Sequence, residues 1–135
     1  MKTTLEGGEN VGRKRFIIEF GTGVDLHGED VTKAAQKAVK DAVSHSCLCG
    51  LVDILGITDP NEMEIEAKVG CPYPERVNKE EVVKTIPFGA VHLEVVPGGL
   101  TVPGLRLPLL AETDTIVIAV AALTVYIDLK EQQHV

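Results

Sequence analysis

The hydrophobic positions of this sequence change their period along the chain, and each period predicts a different element. Between residues 31 and 43 apolar residues recur every three or four positions, which is typical of an amphipathic helix. Asp30 precedes this helix and can cap it, because its carboxylate can accept a free backbone N–H of the first turn. A second, shorter helix is predicted from Lys79 to Ile86, with Asn78 as its cap.

Segments rich in β-branched or alternating residues predict the strands. The sequence from Glu62 to Val69 alternates apolar and mainly charged residues, as expected for a strand with one buried face. The sequence from Thr115 to Ile127 is apolar on both faces, which places it in the middle of a sheet or in a subunit interface. Three further strands are predicted at residues 15–20, 90–96 and 100–102, the last two joined as a hairpin.

These elements predict the order β-α-β-α-β-β-β, an α+β fold in which two helices cover one face of a mixed β-sheet. We expect residues 15–130 to form this single domain, with flexible tails at residues 1–14 and 131–135. The uncovered sheet face combines charged positions of one strand with apolar positions of another. Such a face is commonly buried by self-association, so we expect a homo-oligomer that assembles through the sheet.

Composition and charge narrow the partners of this domain. The 135 residues carry a formal net charge of −7, and basic residues cluster only at Arg13-Lys14-Arg15. Phosphate groups bind clustered Lys and Arg, so we expect neither nucleic acid nor a membrane as a partner. Three cysteines without framework spacing are typical of a reducing compartment. We therefore expect a cytoplasmic protein, or a protein of the plastid stroma if the source is a plant.

Candidate chemistry is concentrated in the segment from Gly21 to Gly28 (GTGVDLHG), predicted as a loop between the first strand and the first helix. In one interpretation, its three glycines let the backbone approach an anion that the helix N-terminus then binds. The spacing of Gly21, Gly23 and Gly28 matches neither a dinucleotide fingerprint nor a P-loop. Glu29 and Asp30 would also repel an anion at that helix terminus.

A second interpretation uses Asp25 and His27 as a pair. In an extended segment, residues two apart point the same way, so the carboxylate and the imidazole would converge. Such a pair suits a divalent metal, or acid–base catalysis in which Asp25 orients His27. Glu19 could supply a third oxygen ligand, and His45 could line the pocket from the helix. The structural alternative is that Asp25 caps the turn through the backbone and His27 is a partly buried loop residue.

Two other groups of polar residues have simpler interpretations. His45, Cys47 and Cys49 resemble the spacing of a soft-metal site. On a helix, however, residues two apart point roughly 200° apart, so both thiols could reach one ion only beyond the helix end. Cys49 is therefore expected as a small core residue. His92 and Glu94 alternate on one strand and are expected to make cross-strand surface pairs.

The segment also resembles known proteins. A G-x-G-x-D-x-H-G motif is formed here by Gly21, Gly23, Asp25, His27 and Gly28. Together with the segment that follows, this motif resembles the hallmark of a small uncharacterised family. The family is known from bacteria and, with a longer leader, from plants. This resemblance extends over about residues 15–128 and implies no particular activity.

A fainter, local resemblance is to the metal-binding turn of methylerythritol cyclodiphosphate synthase, a trimeric enzyme. This resemblance implies that Asp25 and His27 bind a divalent metal. The enzyme's third ligand is a His followed by Ser-Asp-Ala-Asp, whereas here His45-Ser46 is followed by Cys47-Leu48-Cys49. The departure argues against the reaction of that enzyme.

The sequence therefore predicts an oligomeric enzyme that acts on a small polar substrate at the GTGVDLHG segment, either with a divalent metal (Zn²⁺, Mn²⁺ or Mg²⁺) or by metal-free acid–base chemistry. Asp25 and His27 are its predicted catalytic residues and metal ligands. The predicted ligand-binding residues are Gly21, Gly23, Gly28, Glu19 and His45. The alternative is a non-catalytic oligomer that binds a small-molecule ligand at the same segment.

Overall fold

A computed structural model describes residues 12–129 of the chain, which form a five-stranded sheet and three α-helices. The elements in chain order are β1 (Arg13–Asp25), α1 (Val31–Ser44), α2 (Gly50–Asp53), β2 (Glu64–Cys71), α3 (Lys79–Val83), β3 (Ala90–Pro97), β4 (Leu100–Pro103) and β5 (Thr115–Asp128). The predicted α+β class with a mixed sheet is confirmed. The prediction of two helices is corrected to three within the described residues, because the short segment before β2 also contains a helical turn.

The predicted tails fall largely outside the described residues. Residues 1–11 and 130–135 are not among those described, and β1 already begins at Arg13, inside the predicted N-terminal tail. Of the helices in the described part of the chain, none is long and apolar enough to cross a membrane.

β5 is the central strand, as its apolar faces predict. It pairs antiparallel with β1 on one side and with β2 and β4 on the other, and β3 pairs parallel with β2. The strands β1, β2 and β3 therefore run in the same direction, since β1 and β2 are both antiparallel to β5. The C-terminal ends of these three strands consequently lie at one end of the sheet, and their N-terminal ends lie at the other end.

The predicted hairpin of residues 90–102 is wrong. β3 pairs with β2, whereas β4 pairs with β5, so the chain between them crosses the end of β2. A Cβ on Gly98 would lie 3.1 Å from the Cα of Gly70, and a Cβ on Gly99 would overlap the carbonyl oxygen of Ile118. The Pro-Gly-Gly sequence therefore serves a crossing between strands, and turn chemistry alone does not distinguish this crossing from a hairpin.

α1 lies unusually close to β1 because small residues face each other across the contact. Its buried face is the predicted one, formed by Val31, Ala34, Ala35, Ala38, Val39 and Ala42. Gly21 and Gly23 of β1 lie beneath this face, and a Cβ on either would overlap a carbonyl oxygen of α1. Asp30 caps the helix as predicted, accepting a hydrogen bond from the Lys33 backbone N–H at 3.0 Å.

The opposite face of the sheet, called the open face below, is not covered by any described helix and has two halves. Its charged half carries ion pairs between strands. Arg13 of β1 reaches across β5 to Glu64 (2.7 Å) and Glu66 (2.9 Å) of β2, and the neighbouring strands β2 and β3 are joined by Lys68–Glu94 (3.8 Å) and His92–Glu64 (3.4 Å). The predicted surface pairing of His92 and Glu94 is thus confirmed, with β2 as the partner strand. Its apolar half exposes Ile18, Phe20, Val120, Leu100 and Val102.

Candidate functional site

The predicted GTGVDLHG loop is a strand over its first five residues, because β1 continues to Asp25. The prediction of a loop at residues 21–25 is therefore wrong. On the inward-facing side of this strand, the space beside Gly21 and Gly23 is filled by the backbone of α1. A glycine inside a strand commonly marks such a close backbone approach. The two glycines thus have a packing role, and their predicted role in ligand binding stays a prediction.

Asp25 and His27 differ sharply in their surroundings. Asp25 is only 4% exposed, and its Oδ2 accepts a hydrogen bond from the Asp30 backbone N–H at 2.9 Å. His27 lies beyond the end of the strand and is exposed. Asp25 therefore caps the turn, as the structural alternative expected, whereas His27 is more exposed than that alternative expected.

Among residues 12–129, no group of three or more His, Cys, Asp and Glu side chains is arranged to hold a metal ion. The pair alone is two ligands short of the usual tetrahedral set. Its metal-binding and catalytic roles, and the ligand-binding role of Gly28 beside it, stay predictions.

The loops that follow β1 and β2 are joined by contacts that the sequence did not predict. Glu29 (φ 51°) and Tyr73 (φ 53°) are the non-glycine residues with positive φ in the described part of the chain. Nη1 of Arg76 lies 3.3 Å from Oε2 of Glu29, and the Arg76 guanidinium lies 4.3 Å from the ring centroid of Tyr73. Thr113 donates a hydrogen bond to Oε1 of Glu29 at 3.0 Å. These side chains bind one another, so they fix the loops in place.

A cavity of about 450 Å³ lies beside the middle of β1, near the C-terminal end of α1. We call it the Glu19 cavity. Its wall is mainly aliphatic and comes from many separate segments of the chain: Glu19, Val43, Ser46, Cys47, Leu48, Cys49, Leu51, Val52, Ile57, Thr58, Pro60, Met63, Ile65, Ile86, Pro87, Phe88, Leu123 and Val125. A mainly apolar cavity with a few polar groups is the usual composition of a small-molecule site.

Glu19 is the charged group on this wall. It is 9% exposed, it faces α1 from β1, and its Oε2 accepts a hydrogen bond from the Ser46 hydroxyl. Sequence reasoning placed it beside Asp25, but it lies six positions earlier on the same strand, roughly 20 Å away at the rise of a β-strand. The structure therefore does not bring Glu19 to Asp25 as a third ligand.

His45 does not line the Glu19 cavity, although the next residue does. Its Nε2 lies 3.0 Å from Oδ1 of Asp41, one helical turn earlier, and its side chain is 62% exposed. Oδ2 of Asp41 accepts a hydrogen bond from the Thr22 backbone N–H at 2.8 Å, so this group of residues ties the end of α1 to β1. The ligand-binding role predicted for His45 receives no support from this position.

The cysteines are distributed differently from the prediction. Cys47 and Cys49 follow the end of α1, are exposed and line the Glu19 cavity, so the predicted core position of Cys49 is wrong. The buried cysteine is Cys71, and burial raises the pKa of its thiol to about 11. The two kinds of thiol will therefore react at very different rates near neutral pH, because the thiolate is the nucleophile.

Comparison with known proteins adds a family and a fold. The model of a conserved hypothetical protein family, Lin0512_fam, matches residues 15–125, a range that contains Glu19 as well as Asp25 and His27. The crystal structure of an FtsZ-like protein of unknown function from Nostoc punctiforme is similar, with a TM-score of 0.79 and 47% sequence identity. The match covers 87% of this chain and 98% of that one. No protein with a curated description matches this sequence.

Proposed function

The chain belongs to the conserved hypothetical protein family Lin0512_fam, and we propose that it binds a small, mainly apolar molecule in the Glu19 cavity. The observation that carries this proposal is a buried carboxylate on the mainly aliphatic wall of a cavity of about 450 Å³. This volume is within the range of roughly 300–1,000 Å³ that is usual for small-molecule sites.

The chemistry of the wall favours binding over catalysis. Among the described residues that line the cavity, the polar side chains are one carboxylate, two hydroxyls and two thiols, without a His or Lys as a partner for proton transfer. The proposal is thus the non-catalytic alternative from the sequence, moved from the GTGVDLHG segment to the cavity beside the middle of β1. Glu19 is the residue that the two placements share.

The cavity volume sets the size of the probe that tests the proposal. At about 30 Å³ for each water in the liquid, 450 Å³ corresponds to roughly fifteen waters. 4-Phenylbutan-1-ol, an aromatic alcohol of suitable size, fits within that space. At a modest free energy per atom, we expect a dissociation constant of about 1 mM or below in isothermal titration calorimetry.

A matched pair of variants assigns the binding to the cavity. Thr58→Trp puts a large ring at an exposed position on the cavity wall and should abolish binding of the alcohol. Lys33→Trp adds the same ring at an exposed position on α1, away from the cavity, and should leave binding unchanged. Binding that survives Thr58→Trp, or absence of binding to the wild type, would contradict the proposed function.

Thiol reactivity gives a second measurement of the same occupancy. N-ethylmaleimide should alkylate Cys47 and Cys49 near neutral pH, and saturating 4-phenylbutan-1-ol should slow both reactions. Cys71 is the internal control, because its buried, high-pKa thiol should stay unmodified with or without the alcohol. Equal rates for Cys47 and Cys49 with and without the alcohol would place the bound molecule elsewhere.

We also propose that copies of the chain associate through the apolar half of the open face. The charged half is already paired within the chain, as the ion pairs of Arg13 and Lys68 show. The apolar half exposes 67% of Phe20 and 43% of Ile18 on β1, beside Val120 on β5 at 45%. A second copy of the same patch is the simplest apolar partner, because a two-fold interface buries one patch against itself.

Light scattering tests this association. The wild type should be larger than a monomer at micromolar concentration, and Phe20→Glu should dissociate it by placing a charge in the buried patch. Lys79→Glu, at an exposed position on α3, is the control and should not change the mass. A monomeric wild type, or an assembly unaffected by Phe20→Glu, would refute the interface.

A further inference from the structure

Glu19 combines an imbalance between burial and partners with a position on a cavity wall, which Asp25 lacks. One of its carboxylate oxygens, Oε2, accepts the hydrogen bond from Ser46. Within residues 12–129, Oε1 has no hydrogen-bond partner, and no ion pair of the described residues involves Glu19. The side chain is nevertheless more than nine-tenths buried, on the wall of the Glu19 cavity.

Several more exposed glutamates among the described residues are paired with a cationic side chain. Glu64 and Glu66, both partly solvated on the open face, lie 2.7 and 2.9 Å from Arg13 nitrogens. Glu29 is paired with Arg76 at 3.3 Å. Burying a carboxylate costs several kcal/mol unless it is paired and its remaining lone pairs are satisfied. A cation would therefore stabilise Glu19 more than it stabilises these solvated glutamates.

From this imbalance we infer that the molecule bound in the Glu19 cavity is an amine, whose protonated nitrogen binds Oε1 of Glu19 while a compact apolar body fills the cavity. This inference deepens the proposed function and rests on it. An ammonium group supplies both the missing charge and N–H donors, and charge-assisted hydrogen bonds are about twice as strong as neutral ones. Carboxylic acids and phosphates would instead place a second negative charge beside Glu19.

Three probes with the same apolar body separate these ligand classes: 4-phenylbutan-1-amine, 4-phenylbutan-1-ol and 4-phenylbutanoic acid. In calorimetry with the wild-type chain at neutral pH, the amine should bind at least roughly tenfold more tightly than the alcohol, the effect of one hydrogen bond to a charged group. The acid should bind most weakly, since its carboxylate is repelled by Glu19 and loses solvation. This order is measurable without any substitution in the protein.

A nearly isosteric variant then assigns the preference to one side chain. Glu19→Gln keeps an oxygen that can accept the Ser46 hydroxyl and removes the charge, so the ratio of amine to alcohol affinities should fall towards one. Glu75→Gln removes a charge from an exposed position outside the cavity and should leave that ratio as in the wild type. It controls for the change in net charge.

The possible outcomes distinguish the two proposals. Equal binding of amine and alcohol by the wild type, or a ratio that Glu19→Gln leaves unchanged, overturns the amine inference and leaves the proposed function standing. Tightest binding of the acid overturns it as well. If none of the three probes binds, and none slows alkylation of Cys47 and Cys49, both the inference and the proposed function fail.

Discussion

β1 buries two carboxylates on the same side of the strand, Glu19 at its middle and Asp25 at its C-terminal end, and the two do different things. Asp25 accepts a backbone N–H five residues ahead and closes the turn into α1. Glu19 faces the far end of α1, accepts one hydroxyl and borders a cavity. Buried polar groups are normally hydrogen-bonded, so burial alone does not indicate function. The informative difference is what remains available: a turn of the chain next to Asp25, and open space next to Glu19.

The motif from Gly21 to Gly28, at the C-terminal end of β1, is a poor guide to the position of a ligand site. Three of its members, Gly21, Gly23 and Asp25, have structural roles that the folded chain itself explains. His27 is exposed, and Glu29 next to the motif is held by Arg76 and Thr113. The glycines of this pattern therefore serve the close contact of α1 with β1, and its aspartate serves the turn between them.

The largest effect should come from the glycines between the two carboxylates. Gly21→Val should destabilise the fold by about 3 kcal/mol or more, because its side chain would overlap the backbone of α1. Thr22→Val, the next residue on the exposed side of the same strand, should change stability by less than about 0.5 kcal/mol. Urea denaturation followed by circular dichroism measures both variants. A tolerated Gly21→Val would mean that α1 does not lie in contact with β1 at this glycine. The contrast between the surroundings of Glu19 and Asp25 would then lose its basis.

Periodicity predicted the elements whose burial follows one face. α1 with its cap at Asp30, and β5 as the central strand, were both predicted correctly because many residues repeat the same signal. The end of β1 was missed because glycine is rare in strands, so the Gly21–Gly23 segment resembled a loop. The small residues of α1 were the available signal: alanines at every third or fourth position of a helix imply a close partner, and glycines supply one.

The Glu19 cavity could not be predicted in the same way. Its wall joins short pieces of β1, β2, β5, α1, α2 and three loops, and no sequence pattern indicates that these pieces meet. Glu19 was predicted as a ligand-binding residue near Asp25, but six residues of extended strand separate the two, so their closeness in sequence did not mean closeness in space. The pairing of β4 with β5 was missed for a related reason, since partner choice depends on the whole sheet and not on local turn chemistry.

The next largest loss of stability should come from Asp25, and it tests whether this side chain is kept for the fold or for binding a ligand. Asp25→Ala should cost about 1–3 kcal/mol, because the Asp30 N–H loses its acceptor in a partly buried turn. Asp25→Asn keeps an acceptor oxygen and should cost less. The same denaturation experiment measures both. A loss below about 0.5 kcal/mol for Asp25→Ala would show that the side chain does not hold the turn, and would favour the functional interpretation of the motif.

At Glu19, in the middle of the strand, the effect on stability should be smaller and of opposite sign. Glu19→Leu combined with Ser46→Ala removes a buried carboxylate and its hydrogen-bond donor together, which is often neutral or stabilising when apolar groups replace such a pair. We expect unchanged stability or a gain of about 1 kcal/mol, together with loss of the amine preference. A loss of stability as large as that of Asp25→Ala would mean that Glu19 is kept for the fold, and the difference between the two carboxylates would disappear.

The smallest effect on stability should come from His27, and its measurement decides the metal prediction. His27→Ala should change stability by less than about 0.5 kcal/mol, because the side chain is exposed and removes no apolar burial. If Asp25 and His27 bind a metal, calorimetric titration of Zn²⁺, Mn²⁺ and Mg²⁺ should show binding to the wild type that falls steeply in His27→Ala. Equal binding by both proteins, or none by either, would remove the metal version and leave the Glu19 cavity as the place to search for a ligand.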